Sequence, residues 1–194
     1  TNASIGADSP ALNEALIGRM DEARFWNEPL SAAEVSAVYA EGTTGNWNVN
    51  ASGNWSTASN WSPAVVPGNT AADVVSLTYD ITAARTVTMD TTSRTVGTLN
   101  IGDSGSGYFA YTFTNSGGAT LTFDNNGSAA NLVQITTTAA DVIALPVTLS
   151  DNLTISNNST LTFSKIISGS GFGITKTGTG TVTLSASNTY TGGT

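Results

Sequence analysis

The stretch that decides the fold runs from Ile166 to Thr194 and reads IISGSGFGITKTGTGTVTLSASNTYTGGT. Two short runs in it, Gly173–Thr177 and Thr181–Ser185, alternate an apolar residue with Thr or Ser, the two-residue period of a strand with one buried face. Glycines flank both runs and supply the positive φ that tight corners need. The stretch closes on Asn188–Thr194, a further strand and corner. It therefore predicts a repeated unit of short strand, small-residue corner and short strand.

Composition supports β structure and excludes several functions. Charged residues make up 10% of the 194 residues, well below the usual quarter, and polar uncharged residues take their place. The net charge of -8 argues against nucleic-acid and anionic-membrane partners, which need clustered Lys and Arg. The chain has no Cys and no His, so it has no disulfide framework and no Ser-His-Asp or Cys-His site. No apolar run reaches the roughly 20 residues of a membrane helix.

The runs Thr175–Ser185 and Asn188–Thr194 resemble the autotransporter-associated β-strand repeat, which reads roughly L-x-K-x-G-x-G-x-L-x-L-S-G-x-N-x-Y-x-G-x-T. The sequence departs from that pattern at Ile174, where Leu is usual, and at Ala186, where Gly is usual. The resemblance implies a right-handed parallel β-helix in a large secreted or surface-exposed bacterial passenger protein. It implies no catalytic residue, because the repeat is architectural.

From residue 71 onward, short strands alternate with corners at Asp, Asn and Gly. The candidates are Val74–Tyr79, Thr86–Met89, Val96–Ile101, Tyr108–Thr114, Ala119–Phe123, Leu132–Thr136, Val142–Leu149, Leu153–Ser156, Thr160–Ile167, Gly173–Lys176, Thr181–Ser185 and Thr189–Thr191. Strand-only repeats of about 20–30 residues predict an all-β solenoid. A β-sandwich has strands of similar length and spacing and is the main competitor; the repeat resemblance favours the solenoid.

Residues 1–42 differ from the rest of the chain. Ala15–Trp26 is a candidate strand, and Ser31 with Glu34 forms a capping box for a short helix that stops at Gly42. The segment is similar to the end of laminin-G-like and pentraxin-like jelly rolls, with their G-x-M-D-E-x-R-F-W strand before an L-S-x-x-E-V run. That likeness implies the C-terminal part of an incomplete concanavalin-A-like β-sandwich. Such domains bind glycans or proteins, some through calcium held in loops that would lie upstream.

Residues 43–70 form an Asn-, Ser- and Pro-rich junction with three tryptophans, Trp47, Trp55 and Trp61. These are the candidate ligand-stacking residues, as a platform for sugar rings. The alternative interpretation is a cap that covers the first coil of the solenoid, whose end would otherwise expose unpaired backbone groups. The segment Gly53–Gly68 also resembles the usual lead-in to β-strand repeats, which favours the cap.

Little in the sequence predicts chemistry. The acids after residue 71 lie singly beside corners, where Asp typically makes an Asx-turn. Lys176 is predicted to be a solvent-facing strand residue, and the Gly-rich run 103–107 precedes a strand rather than the helix of a phosphate loop. No catalytic, cofactor-binding or metal-ligating residue is therefore predicted, and calcium is expected only in the upstream part of the sandwich.

These observations predict a non-enzymatic bacterial protein at the cell surface or secreted, and a fragment of something longer. Residues 71–194 would be a β-helical stalk, 43–70 its cap, and 1–42 the tail of a domain that binds an extracellular glycan or protein. The expected role is adhesion. The alternatives are a polysaccharide-active enzyme, with its site on the β-helix flank or upstream, and an S-layer-like structural element. Oligomeric state is not predicted.

Overall fold

The computed structural model describes Pro29, Ser31, residues 42–135 and residues 138–194. Residues from Gly42 onward belong to one compact unit, which is all-β apart from a three-residue 3-10 turn at Ala58–Asn60. The strand predicted at Ala15–Trp26 and the helix predicted after Ser31 lie outside the described residues.

Seventeen short strands account for the regular structure of this part of the chain. They are β1 (Thr44–Trp47), β2 (Gly53–Asn54), β3 (Trp61–Ser62), β4 (Val74–Leu77), β5 (Arg85–Met89), β6 (Arg94–Val96), β7 (Thr98–Ile101), β8 (Tyr111–Asn115), β9 (Leu121–Phe123), β10 (Ala130–Gln134), β11 (Asp141–Ala144), β12 (Val147–Leu149), β13 (Leu153–Asn157), β14 (Thr160–Phe163), β15 (Ile167–Ser168), β16 (Ile174–Thr177) and β17 (Thr181–Leu184).

The strands form three sheets, and from β4 onward successive strands belong to sheets A, B and C in turn. Sheet A has the order β16-β13-β10-β7-β4-β1-β3, sheet B the order β17-β14-β11-β8-β5-β2, and sheet C the order β15-β12-β9-β6. From β4 onward each strand pairs in parallel with the strand three places later. We call each set of three successive strands, one per sheet, a rung. This parallel pairing contradicts an antiparallel sandwich.

The register between paired strands gives the number of residues in each rung. Near the C-terminus Leu153 faces Ile174 (174 - 153 = 21) and Val147 faces Ile167 (167 - 147 = 20). Earlier, Thr98 faces Asn131 (131 - 98 = 33). Since the strands themselves keep a length of two to five residues, the extra residues of the earlier rungs lie in the connections.

Inward-facing side chains stack from rung to rung because in-register parallel strands repeat the same orientation. On sheet B, Val87, Phe113, Ile143 and Phe163 face one another in sequence and are 0–1% exposed. Burying each such side chain contributes about 1.5–3 kcal/mol relative to leaving it exposed. The outward row beside them holds Thr86, Thr112, Val142, Thr162 and Thr183. The predicted alternation of apolar and hydroxyl residues is confirmed here.

Three predicted strands are wrong because each contains a corner. Val96–Ile101 divides at Gly97, Val142–Leu149 divides at residues 145–146, and Thr160–Ile167 divides at residues 164–166. At Gly97 a Cβ atom would lie 2.5 Å from the Cα of Ala72, so the corner presses against the backbone of the preceding rung. At Gly97 a contact between rungs accompanies the corner, and each of the three corners also holds a residue type that favours turns, namely Gly97, Pro146 or Ser164.

Several other strand predictions differ in their bounds, such as Leu132–Thr136, which is observed at Ala130–Gln134. Tyr108–Thr114 begins as a strand only at Tyr111, and residues 108–110 belong to a loop. The predicted strand Thr189–Thr191 is not a named strand, but its amides donate to the carbonyls of Ile167 and Gly169 at 2.9 and 3.0 Å. It therefore runs beside β15 and follows the track of sheet C.

Candidate functional site: a groove at one corner

The three tryptophans form a buried cluster. Trp47, Trp55 and Trp61 are 2%, 0% and 2% exposed. Ring centroids of Trp55 and Trp61 lie 4.7 Å apart edge to face, and Trp55 stacks on Phe113 at 4.9 Å. The indole nitrogens of Trp55 and Trp61 donate to the carbonyls of Pro67 and Trp55. No ring face is open to solvent, so this arrangement contradicts the sugar-stacking hypothesis.

The corner acids act on the backbone. The Asx-turn prediction is confirmed for Asp103 and Asp124, whose carboxylates accept from the amides of Gly105 and Asn126 at 3.0 and 3.1 Å. Asp73 and Asp151 also accept amides from distant parts of the chain. Thr43 donates to Asp73 at 2.7 Å, and Asn125 donates to Asp151 at 2.6 Å. These carboxylates therefore join segments 30 and 26 residues apart in sequence.

The corner between sheets A and B carries long connections in only some rungs. The connection is seven residues after β4 (78–84), nine after β7 (102–110) and six after β10 (135–140), but two after β13 (158–159) and three after β16 (178–180). Two or three residues are thus enough to turn this corner. The additional residues are not needed by the strand stack, and loops on a rigid scaffold are where binding groups are usually placed.

These longer connections expose apolar side chains and enclose a depression. Tyr79, Tyr108, Phe109 and Ile135 are 37–47% exposed and make up four of the six exposed large apolar residues of the described chain. An open depression of about 430 Å³ is lined by two of them, Tyr108 and Ile135. We call it the corner groove; its lining residues are Asp103, Ser104, Gly105, Ser106, Tyr108 and Ile135. The register brings these loops together, since Leu77, Ile101 and Gln134 end neighbouring parallel strands.

Asp103 organises the wall of the corner groove. Its side chain is 3% exposed, and it accepts hydrogen bonds from the amides of Ile81 at 3.1 Å, Gly105 at 3.0 Å and Phe109 at 2.9 Å. One carboxylate therefore fixes the loop 102–110 to itself at two points and to the loop after β4 at a third. Both of its oxygens are engaged in this way, so its role in the groove is to hold backbone in place.

Tyr108 lies in an unusual backbone conformation at the groove. Its φ is +52°, in the left-handed region that a bulky residue rarely occupies. This conformation costs about 1–2 kcal/mol, and nearby Gly107 allows the Phe109 ring to pack so closely that a Cβ on Gly107 would lie 2.5 Å from it. A strained, half-exposed aromatic residue is the kind of outlier that points to a functional position.

Tyr111 forms the buried support beneath this corner. Its side chain is fully buried and its hydroxyl donates to the carbonyl oxygen of Tyr79 at 3.1 Å. Burial, with the nearby charges of Asp103 and Asp141, raises the pKa of the Tyr111 phenol well above its usual range. The phenol therefore remains a neutral donor at any physiological pH. It fixes the loop that carries Tyr79 relative to β8.

The groove combines the aromatic ring of Tyr108, two serine hydroxyls and a loop held by a carboxylate. These groups suit reversible, noncovalent binding. The sequence alone does not reveal this groove, since its pattern predicts that Tyr108 is the first residue of a strand. The available signal was the run Ser104–Gly107 followed by two adjacent aromatic residues, which is unusual between strands of a tightly repeated stack.

No protein-family model, no curated protein and no solved structure matches this chain. Among the described residues, no group of three or more Asp or Glu side chains is placed to hold a metal ion. The same part of the chain contains no helix that is long and apolar enough to cross a membrane.

Proposed function

We propose that residues 71–194 are a right-handed parallel β-helical solenoid that serves as a non-enzymatic stalk in a secreted or cell-surface bacterial protein. The observation that carries this proposal is the parallel pairing of every strand from β4 onward with the strand three places later. Each rung then advances the chain by one strand spacing, about 4.8 Å. Crossover connections between parallel strands are right-handed in nearly all proteins, which supports the proposed hand.

The junction 43–70 would be the cap of this stalk. Its strand β3 pairs antiparallel with β1 at the outer edge of sheet A. Trp47 and Trp61 lie under this edge with their ring centroids 5.2 Å apart. Covering the end of a parallel stack prevents other chains from pairing with it. The buried tryptophans supply the apolar filling for that cover.

An adhesive role at the cell surface is the activity most consistent with the outer faces. Their outward rows consist mainly of Thr and Asn rather than charged residues, as in Thr98, Asn131 and Thr154 of sheet A. The stack reaches its packing without disulfides, because the chain has no Cys. The resemblance of residues 1–42 to a laminin-G-like tail gives the stalk a glycan- or protein-binding domain to present.

Solution scattering on lengthened chains tests the stalk. Three extra copies of residues 153–173, one rung each, are inserted after residue 173 of the full chain. The stack should lengthen by about 14 Å, three strand spacings, with unchanged cross-section and increased β content by circular dichroism. An equal insertion of 63 Gly and Ser residues is the control and should add disorder instead. A cross-section that widens while the length stays constant would contradict the solenoid.

The corner groove gives the enzymatic alternative a specific location on the flank of the stack. A polysaccharide-active enzyme would release new reducing ends or unsaturated products from a polysaccharide incubated with the chain. Binding without such products favours the stalk and adhesion proposal. Turnover that is lost when Ser106 and Tyr108 are replaced by Ala would favour the enzyme instead.

A further inference from the structure

We propose that the corner groove binds a neutral saccharide, with a pyranose ring lying against Tyr108. Its lining does not include the three buried tryptophans. It does not depend on whether the stack acts as a stalk. It would give the repeat region a ligand of its own.

The first argument is the exposed apolar surface. Tyr108 is 47% exposed and Ile135 is 41% exposed, and both line the cavity. Tyr79 and Phe109, each 37% exposed, lie on the same set of loops. An aromatic ring left in water is a favourable partner for a flat apolar surface. A pyranose whose hydroxyl groups are all equatorial presents such a surface on each face, formed by its C–H groups.

The second argument is the polar character of the lining. Ser104 and Ser106 each supply a hydroxyl group that both donates and accepts hydrogen bonds. Saccharide hydroxyls also donate and accept, so these partners match. The carboxylate of Asp103 in the lining, and that of Asp80 against Gly105, disfavour an anionic sugar and select for a neutral one.

The third argument is that the groove is held in shape before a ligand arrives. The three amides bound to Asp103 fix the loop, and the Tyr111 hydroxyl fixes the neighbouring loop through Tyr79. A preorganised site loses less entropy on binding. The left-handed φ of Tyr108 has an energetic cost that the strand stack does not require, since the connections after β13 and β16 turn the same corner in two or three residues.

The size of the groove sets the scale of the ligand. Its volume of about 430 Å³ lies at the small end of the usual range for ligand sites. It therefore suits one or two sugar rings of a longer polymer. Cellotetraose is an appropriate probe because all its ring substituents are equatorial, and maltotetraose tests whether the axial linkage is tolerated.

The test is a titration of the full chain with cellotetraose, followed by nuclear magnetic resonance of the protein amides and by saturation transfer to the sugar. We expect shift changes concentrated in residues 102–110 and weaker ones in residues 78–84. Tyr108→Ala should weaken binding by about 3- to 10-fold, the loss expected for one aromatic contact. Ile166→Ala removes an apolar side chain of similar exposure, 39%, outside the lining, and should leave affinity unchanged.

Tyr108→Gly separates binding from folding. Glycine adopts a φ of +52° without strain, so this variant should unfold at an equal or higher temperature while binding as weakly as Tyr108→Ala. A cellotetraose oxidised to glucuronate units should bind more weakly than the neutral sugar. The proposal is overturned if neither tetrasaccharide shifts the loop amides at 10 mM, a concentration roughly tenfold above a weak Kd of 1 mM. It is also overturned if Tyr108→Ala and Ile166→Ala bind alike.

Discussion

Replacing Asp103 by Ala should destabilise the protein much more than the same replacement at Asp124, a corner acid that accepts a single amide. The substitution removes the acceptor of three backbone N–H groups, those of Ile81, Gly105 and Phe109, at 2.9–3.1 Å. A hydrogen bond to a charged group contributes about 1.5–3 kcal/mol. The three bonds share one carboxylate, and water from the groove replaces part of what is lost, so we expect about 3–5 kcal/mol in total.

Asp103→Asn should remove only part of the stability that Asp103 contributes. The amide oxygen still accepts from Ile81 and Gly105, but the NH2 group then faces the Phe109 amide, which is also a donor. The expected loss is about 1.5–3 kcal/mol. Asp124→Ala is the matched control, because its carboxylate accepts the Asn126 amide at an exposed position, and it should cost about 0.5–1 kcal/mol.

Urea unfolding of the full chain at 25 °C, followed by circular dichroism, measures these differences. With an m-value of about 1–3 kcal/mol/M, Asp103→Ala should lower the midpoint by roughly 1 M or more. The order of stability should be wild type, Asp124→Ala, Asp103→Asn and then Asp103→Ala. If Asp103→Ala unfolds at the same urea concentration as Asp124→Ala, the three bonds do not hold the corner and the reasoning is refuted.

Three other perturbations test the support of the corner, the core and the turns. Burial raises the pKa of the Tyr111 phenol in the folded protein, whereas the phenol of an unfolded chain has a pKa of about 10. The neutral phenol therefore stabilises the fold fully below about pH 10, and this stability is lost as the pH rises further, by up to about 1.4 kcal/mol per pH unit. Tyr111→Phe should make the urea midpoint fall less steeply between pH 9 and 11. Phe163→Ala empties a site that is 1% exposed and should cost about 3–5 kcal/mol, whereas Phe109→Ala, at 37% exposure, should cost less than half of that in the same unfolding assay. Gly97→Ala places a Cβ 2.5 Å from the Cα of Ala72 and should cost about 1–3 kcal/mol, so a melting temperature equal to that of wild type would contradict the close approach at this corner.

The sequence predicts the strands well where one buried face imposes its period. Leu153–Ser156 and Thr181–Ser185 agree with β13 and β17 to within one residue, because each alternates an inward aliphatic with an outward hydroxyl. It predicts the corners less well. Pro146 marks the turn at residues 145–146, since it cannot donate to a strand ladder, but the apolar run on both sides of it also suits one continuous strand.

The site was harder to predict than the strands. The local sequence is compatible with two roles for Trp47, Trp55 and Trp61, stacking on a sugar or filling a core. The stacking of Trp55 on Phe113, more than fifty residues away in sequence, supports the core, and local sequence does not show this contact. The groove depends on the alignment of Leu77, Ile101 and Gln134 across three strands. Local sequence does not specify which strand pairs with which, or in what register. It therefore cannot predict that the loops after these three strands lie side by side.

The parallel pairing also determines how the stack would respond to force. Each strand is bonded to the strand three places later, and β17 at the edge of its sheet pairs only with β14 among the named strands. Tension on the chain beyond β17 would load first the hydrogen bonds from the Thr189 and Thr191 amides to Ile167 and Gly169, and then those of β17. Segments would therefore peel away one after another instead of shearing together. A rung of about 20 residues releases roughly 70 Å of slack when it opens. The stack would thus unfold one rung at a time and extend to many times its folded length before the end that contains the buried tryptophans unfolded.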